Sequence, residues 1–212
     1  MLKHFFLSTI ILCLIILAGC AQEQPAPELE PIESVDLTTL SLPSPTETQE
    51  DALIEPVEEF EQRISLKPFG IYITPKNSPV QPEKFSGYHT GVDVEFTDRE
   101  DEIPVRAIAD GEVIEARAVS GYGGLTAIKH TIDDQEIIVI YAHLDPTSLP
   151  TVGSQVTAGE VIGRLGEGNT AETDFERKHL HLGFLKKDSL DVRGYVNSES
   201  ELDQWIDPLT LF

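Results

Sequence analysis

Cysteine and basic side chains are scarce in this chain of 212 residues. The two cysteines, Cys13 and Cys20, both lie near the N-terminus, so the rest of the chain can form no disulfide framework and no cysteine-type zinc site. The sequence holds 37 acidic side chains but only 15 lysines and arginines, which gives a formal net charge of -22. Because nucleic-acid binding needs a basic face, we expect no nucleic-acid partner.

The apolar run from Phe5 to Leu17 is shorter than the roughly 20 residues that a membrane span needs. Lys3 precedes the run, and Leu17-Ala18-Gly19-Cys20 ends it. This ending resembles a bacterial lipoprotein box, in which the cysteine becomes lipidated and is the first residue of the mature protein. Residues 1–19 are therefore predicted to be a lipoprotein signal peptide. The resemblance implies an extracytoplasmic protein of the cell envelope, bound to a membrane through Cys20; a short retained anchor is the alternative.

Residues 20–62 have a composition of their own, with many glutamates, repeated prolines and no lysine or arginine. Like charges repel and prolines stiffen a chain, so we predict a disordered, acidic, proline-rich tether. Such a tether would let an anchored domain contact material away from the membrane. The alternative is a spacer of no specific length. Val57, Phe60 and Ile64 are an exception, since their helical spacing suits a short helix that leads into the domain.

Residues 63–212 have the composition of a folded domain. Short β-rich runs alternate with turns of Gly, Pro, Asn and Asp, and Asp133-Asp134 between two apolar runs indicates a hairpin. The sequence has no alternation of strands with long helices, which a parallel sheet would require. We therefore predict a mainly β, antiparallel domain with few short helices.

Four of the six histidines lie in three short motifs. The motifs are His89-Thr90-Gly91-Val92-Asp93, Tyr141-Ala142-His143-Leu144 and Lys178-His179-Leu180-His181-Leu182-Gly183. Side chains alternate between the two faces of a strand, so His179 and His181 share one face. Two imidazoles on one face either bind a metal together, or one binds it while the other moves protons.

Two imidazoles and one carboxylate form a zinc site with an open fourth position, which suits catalysis. His89 and Asp93 would supply two ligands, and a histidine of the third motif would supply another. Four extended residues span about 13 Å, too far for two ligands of one ion, so the chain must bend near Gly87 or Gly91. A histidine without metal could accept a proton from water or hydrogen-bond an oxyanion. For His143, a structural role at a strand end is the alternative.

The three motifs resemble, in the same order, those of the M23 peptidases, the lysostaphin-like or LytM-like zinc endopeptidases. The resemblance covers about Phe69 to Leu185. It implies an antiparallel two-sheet fold, a duplicated hybrid motif with a binding groove. It also implies one Zn2+ ion and hydrolysis of peptide bonds in peptidoglycan cross-links.

The same resemblance assigns the site residues. It implies that His89, Asp93 and His181 are the zinc ligands, and the choice of His181 over His179 depends on it. It further implies that His143 and His179 are the catalytic histidines, with His179 as general base. His130 has no partner in the pattern and is predicted to be structural.

The chain departs from the family pattern around the third motif. Arg177-Lys178 stands where many members have Gly-Pro, and Leu182-Gly183 stands where they have Phe-Glu. The charged loop 166–178 is either a solvated connection or a substrate-facing rim. These differences concern substrate specificity. The sequence does not identify the peptide bond that is cut or decide whether a partner must activate the site.

Two other functions compete with the peptidase. The first is a non-catalytic LytM-type binding or activator module, whose sequence mark would be lost ligands, although all five site residues are present here. The second is a carrier domain of the hybrid-barrel type, suggested by the glycines and valines of 156–163. A carrier needs a lysine on a hairpin tip, and an exported chain is the wrong place for it.

The Cys20 prediction can be tested by fractionation of cells. Cys20→Ser should release the protein from membranes, because lipid on this cysteine is the predicted attachment. The membrane and soluble fractions would be compared by immunoblot for the parent and the variant. A variant that still sediments with membranes would contradict the lipoprotein prediction.

Overall fold

The structure, a computed structural model, describes residues 52–186 and 188–212. Cys13, Cys20, the predicted signal peptide and most of the predicted tether lie outside the described residues. Twelve strands occur in the described part: β1 (Tyr72–Ile73), β2 (Gly87–His89), β3 (Gly91–Glu95), β4 (Pro104–Arg106), β5 (Gly111–Val119), β6 (Gly123–Ile132), β7 (Gln135–Leu144), β8 (Gln155–Val156), β9 (Val161–Arg164), β10 (His179–Leu185), β11 (Tyr195–Val196) and β12 (Trp205–Ile206). The helices there are short: α1 (Glu199–Leu202) and 3₁₀ turns at Glu61–Arg63, Ala171–Thr173 and Pro208–Thr210. Among these residues, no helix has both the length and the apolar character to cross a bilayer.

The main antiparallel sheet has seven strands. Six of them follow the order β12-β10-β7-β6-β5-β8, and the seventh, β3, pairs with β10. A second sheet has the order β1-β2-β11, and β4 pairs with β9. The predicted mainly β, antiparallel fold with few short helices is confirmed. The described strands form three sheets instead of the predicted two, because β4 and β9 pair with each other apart from the larger sheets.

Strand β7 shows that the main sheet is covered on both faces. Successive side chains of a strand point to opposite faces, so an uninterrupted apolar strand indicates cover on each side. One face of β7 contributes Ile137, Val139 and Tyr141 to the larger core cluster, and the other contributes Ile138, Ile140 and Ala142 to a smaller one. Both clusters therefore hold the same central strand in place.

The predicted hairpin at Asp133-Asp134 is confirmed, since these residues join β6 to β7. Both aspartates have positive φ, 49° and 60°. Two residues in the left-handed region give a turn whose twist matches that of the flanking strands. The hairpin thereby fixes the register of the two longest strands.

The structure differs from the predicted domain boundary at residue 63, in the segment of Val57, Phe60 and Ile64 that the sequence already sets apart from the tether. Val57 and Phe60 are buried in the larger core cluster, and Ile64 packs against it. The backbone N–H of Ile54 donates to the carbonyl of Ile108 at 2.9 Å. The folded unit therefore begins before residue 63, because a few apolar side chains in an acidic segment meet a core built from distant strands.

Phe60→Ala should lower the free energy of unfolding by about 3–5 kcal/mol, because it leaves a cavity in the core. The Phe60 side chain is fully buried, and its ring lies 4.7 Å from that of Phe212. Urea unfolding would measure the change. The matched control is Phe175→Ala, since Phe175 is 70% exposed and its loss should cost less than about 0.5 kcal/mol. Equal effects of the two substitutions would restore the tether prediction.

Candidate metal centre and groove

Thr90 is the corner at which the chain passes from the second sheet to the main sheet. Strand β2 ends at His89, and β3 begins at Gly91. The Thr90 N–H donates to the carbonyl of Gly194 at 3.0 Å, which fixes the corner. The predicted bend between His89 and Asp93 is confirmed, and it turns both side chains toward one point.

The third side chain comes from β10. In the antiparallel pairing of β3 with β10, His181 lies directly opposite Asp93. A Cβ atom at Gly91 would lie 2.3 Å from the carbonyl oxygen of Leu182, so a larger residue would push the strands apart. Glycine at this position therefore allows the close approach of the two strands that carry the site.

Three donor atoms converge at this point. His89 Nε2 lies 3.0 Å from His181 Nδ1 and 3.2 Å from Asp93 Oδ1, and His181 Nδ1 lies 3.1 Å from the same oxygen. All three side chains are buried. These residues form a group that could hold a metal ion.

The donor set fits a metal of the zinc type. Ligands at 2.0–2.1 Å from a tetrahedral ion are about 3.3 Å apart, close to the separations found here. The second ring nitrogen of His89, Nδ1, lies 3.2 Å from the carbonyl oxygen of Pro68, so an N–H there leaves Nε2 free to bind. His181 Nε2 is buried and has no hydrogen-bond partner among the described residues. The facing nitrogens, His89 Nε2 and His181 Nδ1, can then each carry a lone pair, and a cation between them could bind both.

The charge states of the donors suit such a cation. Burial alone would raise the pKa of Asp93, but the nearby imidazoles and their hydrogen bonds lower this pKa well below its usual range. Burial lowers the pKa of His181, an effect that the hydrogen bond from its ring to the Asp93 carboxylate partly offsets. At neutral pH the site therefore offers a carboxylate and a neutral imidazole, the protonation states in which both bind metal.

A β-bulge directs His143 toward the same site. In the pairing of β6 with β7, Gly124 lies opposite Leu144 and Leu125 lies opposite Ala142, so His143 has no partner across the ladder. Its φ of 64° lies in the left-handed region, which non-glycine residues seldom adopt outside strained or functional positions. The extra residue turns the His143 side chain to the face of Ala142, away from the larger core.

His143 and His179 form a second pair beside the three donors. Their ring centroids are 4.0 Å apart. His179 Nδ1 lies 2.8 Å from the carbonyl oxygen of Arg177, so the N–H on this nitrogen donates to it and Nε2 carries the lone pair. Burial lowers the pKa of His143 to about 3 and lowers that of His179 well below its usual range. Both rings are therefore neutral at pH 7.

Arg177 and Glu95 complete the cluster, and the sequence reasoning missed their roles. The Arg177 Nη2 donates to Asp93 Oδ2 at 2.8 Å, while Nε and Nη2 donate to the two oxygens of Glu95 at 2.8 and 2.6 Å. The prediction gave loop 166–178 as a solvated connection or a substrate-facing rim, and Arg177 at its end lines the groove. Strand alternation could have predicted a role for Glu95, because Glu95 follows Asp93 by two residues and therefore lies on the same face of β3.

A groove with a cavity of about 360 Å³ lies over these residues. Its walls include Phe85, Tyr122 and Tyr195, and the two predicted catalytic histidines line it. The Tyr195 ring stacks on that of His89 at 5.2 Å. The predicted groove is thus present, and Asp93 and His181 of the donor set line it.

The structure brings all five predicted site residues together and leaves His130 elsewhere. His130 Nε2 lies 3.1 Å from the Tyr141 hydroxyl, and its Nδ1 lies 2.9 Å from the carbonyl oxygen of Asp110. The ring is buried, and it joins β6 to β7 and to the turn before β5. His130 therefore has a structural role, as predicted, and the sequence pattern did not reveal its two partners, Tyr141 and Asp110.

The sequence profile of Peptidase family M23 matches residues 87–192, half of the chain. This range contains His89, Asp93, His143, His179 and His181. The chain therefore belongs to peptidase family M23. An uncharacterized protein of Haemophilus influenzae is 38% identical over 84 residues, which make up 40% of this chain and 18% of that protein.

The chain is also similar to several solved structures. A chain of Csd3 from Helicobacter pylori is 28% identical, with a TM-score of 0.44 over 69% of this chain and 35% of that one. LytU is 25% identical, with a TM-score of 0.46 over 71% of this chain and 90% of its own. A chain of the SpoIIQ–SpoIIIAH pore-forming complex reaches a TM-score of 0.50 at 18% identity and shares the fold alone. The chain spans about a third of the Csd3 chain and less than a fifth of the Haemophilus protein.

The buried His130 predicts a pH effect on stability that is separate from the donor cluster. Burial lowers the pKa of His130, so below its ordinary pKa of about 6.5 the unfolded chain binds a proton that the folded chain does not. Stability is therefore lost as pH falls through this range, by up to about 1.4 kcal/mol per pH unit for this group. Urea unfolding of the metal-free protein between pH 7 and 5.5 should show a shallower pH slope for His130→Gln than for the parent. Parallel slopes would contradict the prediction.

Proposed function

We propose that this chain is a zinc-dependent endopeptidase that hydrolyses peptide bonds in peptidoglycan cross-links. The observation that carries the proposal is the convergence of His89, Asp93 and His181 at a groove that two further histidines line. A structural zinc site would close its fourth position with a protein ligand, whereas this set has three donors. Membership of a peptidase family supports the same reaction class.

His89, Asp93 and His181 would hold the zinc ion, and bound zinc supplies an acidified water and polarises the substrate carbonyl. His179 is positioned as general base. Its Nδ1–H donates to the Arg177 carbonyl, which leaves Nε2 to take the proton of the attacking water and later to give it to the leaving amine.

His143 is positioned to stabilise the oxyanion. Its ring lines the groove. A neutral imidazole carries one N–H, which can donate to the oxygen on which negative charge develops in the tetrahedral intermediate. The bulge at His143 supports this role, because it places the ring against His179 in the groove.

The proposal includes attachment at the cell envelope, where peptidoglycan is found. Lipid on Cys20 would hold the protein at a membrane, and the acidic segment before residue 52 would give the domain reach. These features depend on the sequence alone, since they fall outside the described residues.

The test uses the full chain, purified in detergent and loaded with zinc. It would be incubated with purified peptidoglycan with and without a chelator, and released fragments would be identified by mass spectrometry. Chelator-sensitive release of peptide-cut fragments is expected, and the fragments identify the bond. No release by a zinc-loaded protein would contradict the peptidase and favour the non-catalytic LytM-type module.

Two neighbouring histidines give a matched pair of variants for the same assay. His181→Ala should lose most of the bound zinc, because it removes one of three ligands. His179→Ala should retain one zinc per chain but lose turnover by roughly 10²–10⁴-fold, as expected for a general base. Zinc content and fragment release would be measured on the same samples. Full zinc content in His181→Ala, or normal turnover in His179→Ala, would contradict the assigned roles.

A further inference from the structure

We propose that Arg177 is a positioning residue that restricts Asp93 to one metal bond, through Oδ1. The inference deepens the proposed function and rests on one part of it, the binding of a metal by His89, Asp93 and His181. It explains a feature in which this chain departs from the family pattern, the Arg177-Lys178 pair before the third motif.

The two carboxylate oxygens of Asp93 face different groups. Oδ1 faces the donor nitrogens of His89 and His181, at 3.2 and 3.1 Å. Oδ2 accepts a hydrogen bond from Arg177 Nη2 at 2.8 Å and lies 3.5 Å from His179 Nε2. Oδ1 therefore points to the donor cluster, and Oδ2 is directed to the guanidinium.

Glu95 holds Arg177 in this place. The Glu95 carboxylate accepts from both Nε and Nη2 of the guanidinium, a two-point contact that fixes its plane. Both side chains are about 90% buried, with 11% and 10% of their areas exposed. A buried fork with two carboxylate partners has little freedom to release Oδ2.

The consequence concerns the number of protein atoms that bind the metal. A carboxylate can bind one cation through one oxygen or through both. If Oδ2 also bound, it would fill the position that water and the substrate carbonyl need in a catalytic site. By holding Oδ2, Arg177 keeps the protein donor set at two nitrogens and one oxygen.

The test replaces zinc by cobalt, whose visible absorption is stronger in four-coordinate than in five-coordinate sites. The full chain would be compared with Arg177→Met and with the double variant Arg177→Met/Glu95→Gln. Arg177→Met alone leaves the buried Glu95 carboxylate without its partner, which can prevent folding. The double variant also removes this charge and keeps the test possible if the single variant misfolds. Arg193→Met is the matched control, because Arg193 also lines the groove and pairs with two carboxylates, Asp191 and Glu201, but contacts none of the three donors.

We expect the folded Arg177 variants to bind one cobalt per chain with weaker visible absorption. Arg193→Met should show the cobalt spectrum of the parent. With zinc, the Arg177 variants should lose roughly 10- to 100-fold in kcat with a smaller change in KM. An unchanged cobalt spectrum in the Arg177 variants, loss of cobalt binding, or the same change in Arg193→Met would overturn the inference. A spectral change in a protein whose parent releases no peptidoglycan fragments would overturn the proposed function and leave this inference standing.

Discussion

The antiparallel pairing of β3 with β10 is the constraint on which the rest of the site depends. It places His181 opposite Asp93 and His179 opposite Glu95, with all four side chains on one face. Residues directly opposite in such a pair have Cβ atoms about 4.5–5.5 Å apart, near enough for their polar ends to meet. The alternate residues of both strands fill the larger core cluster. One ladder of backbone hydrogen bonds thus builds the site and the core together.

Burial then determines the chemistry of this face. Burial lowers the pKa of His143 and of His179, which keeps both rings neutral, and the surrounding imidazoles lower the pKa of Asp93, which keeps its carboxylate charged. Neutral rings can bind a cation or accept a proton, whereas charged rings can do neither. Arg177 joins the carboxylates of Asp93 and Glu95 inside the protein.

Much of this site could be predicted from the sequence, because its parts lie within strands. Alternation alone places His179 and His181 on one face, and a turn of two aspartates defines the hairpin of β6 and β7. The unpredicted parts depend on contacts between distant segments. Phe60 packs into a core that distant strands build, and Arg177 turns inward to the carboxylates of Glu95 and Asp93.

The bulge at His143 makes the number of residues in β7 as important as their identity. Ala142 lies opposite His181, and the extra residue allows His143 to lie one step further along, against His179. A strand without the bulge would move the imidazole by about 3.3 Å, into the place of Ala142. When relatives are aligned, a gap placed in this strand would therefore assign the role of His143 to a position that the fold reserves for a small side chain.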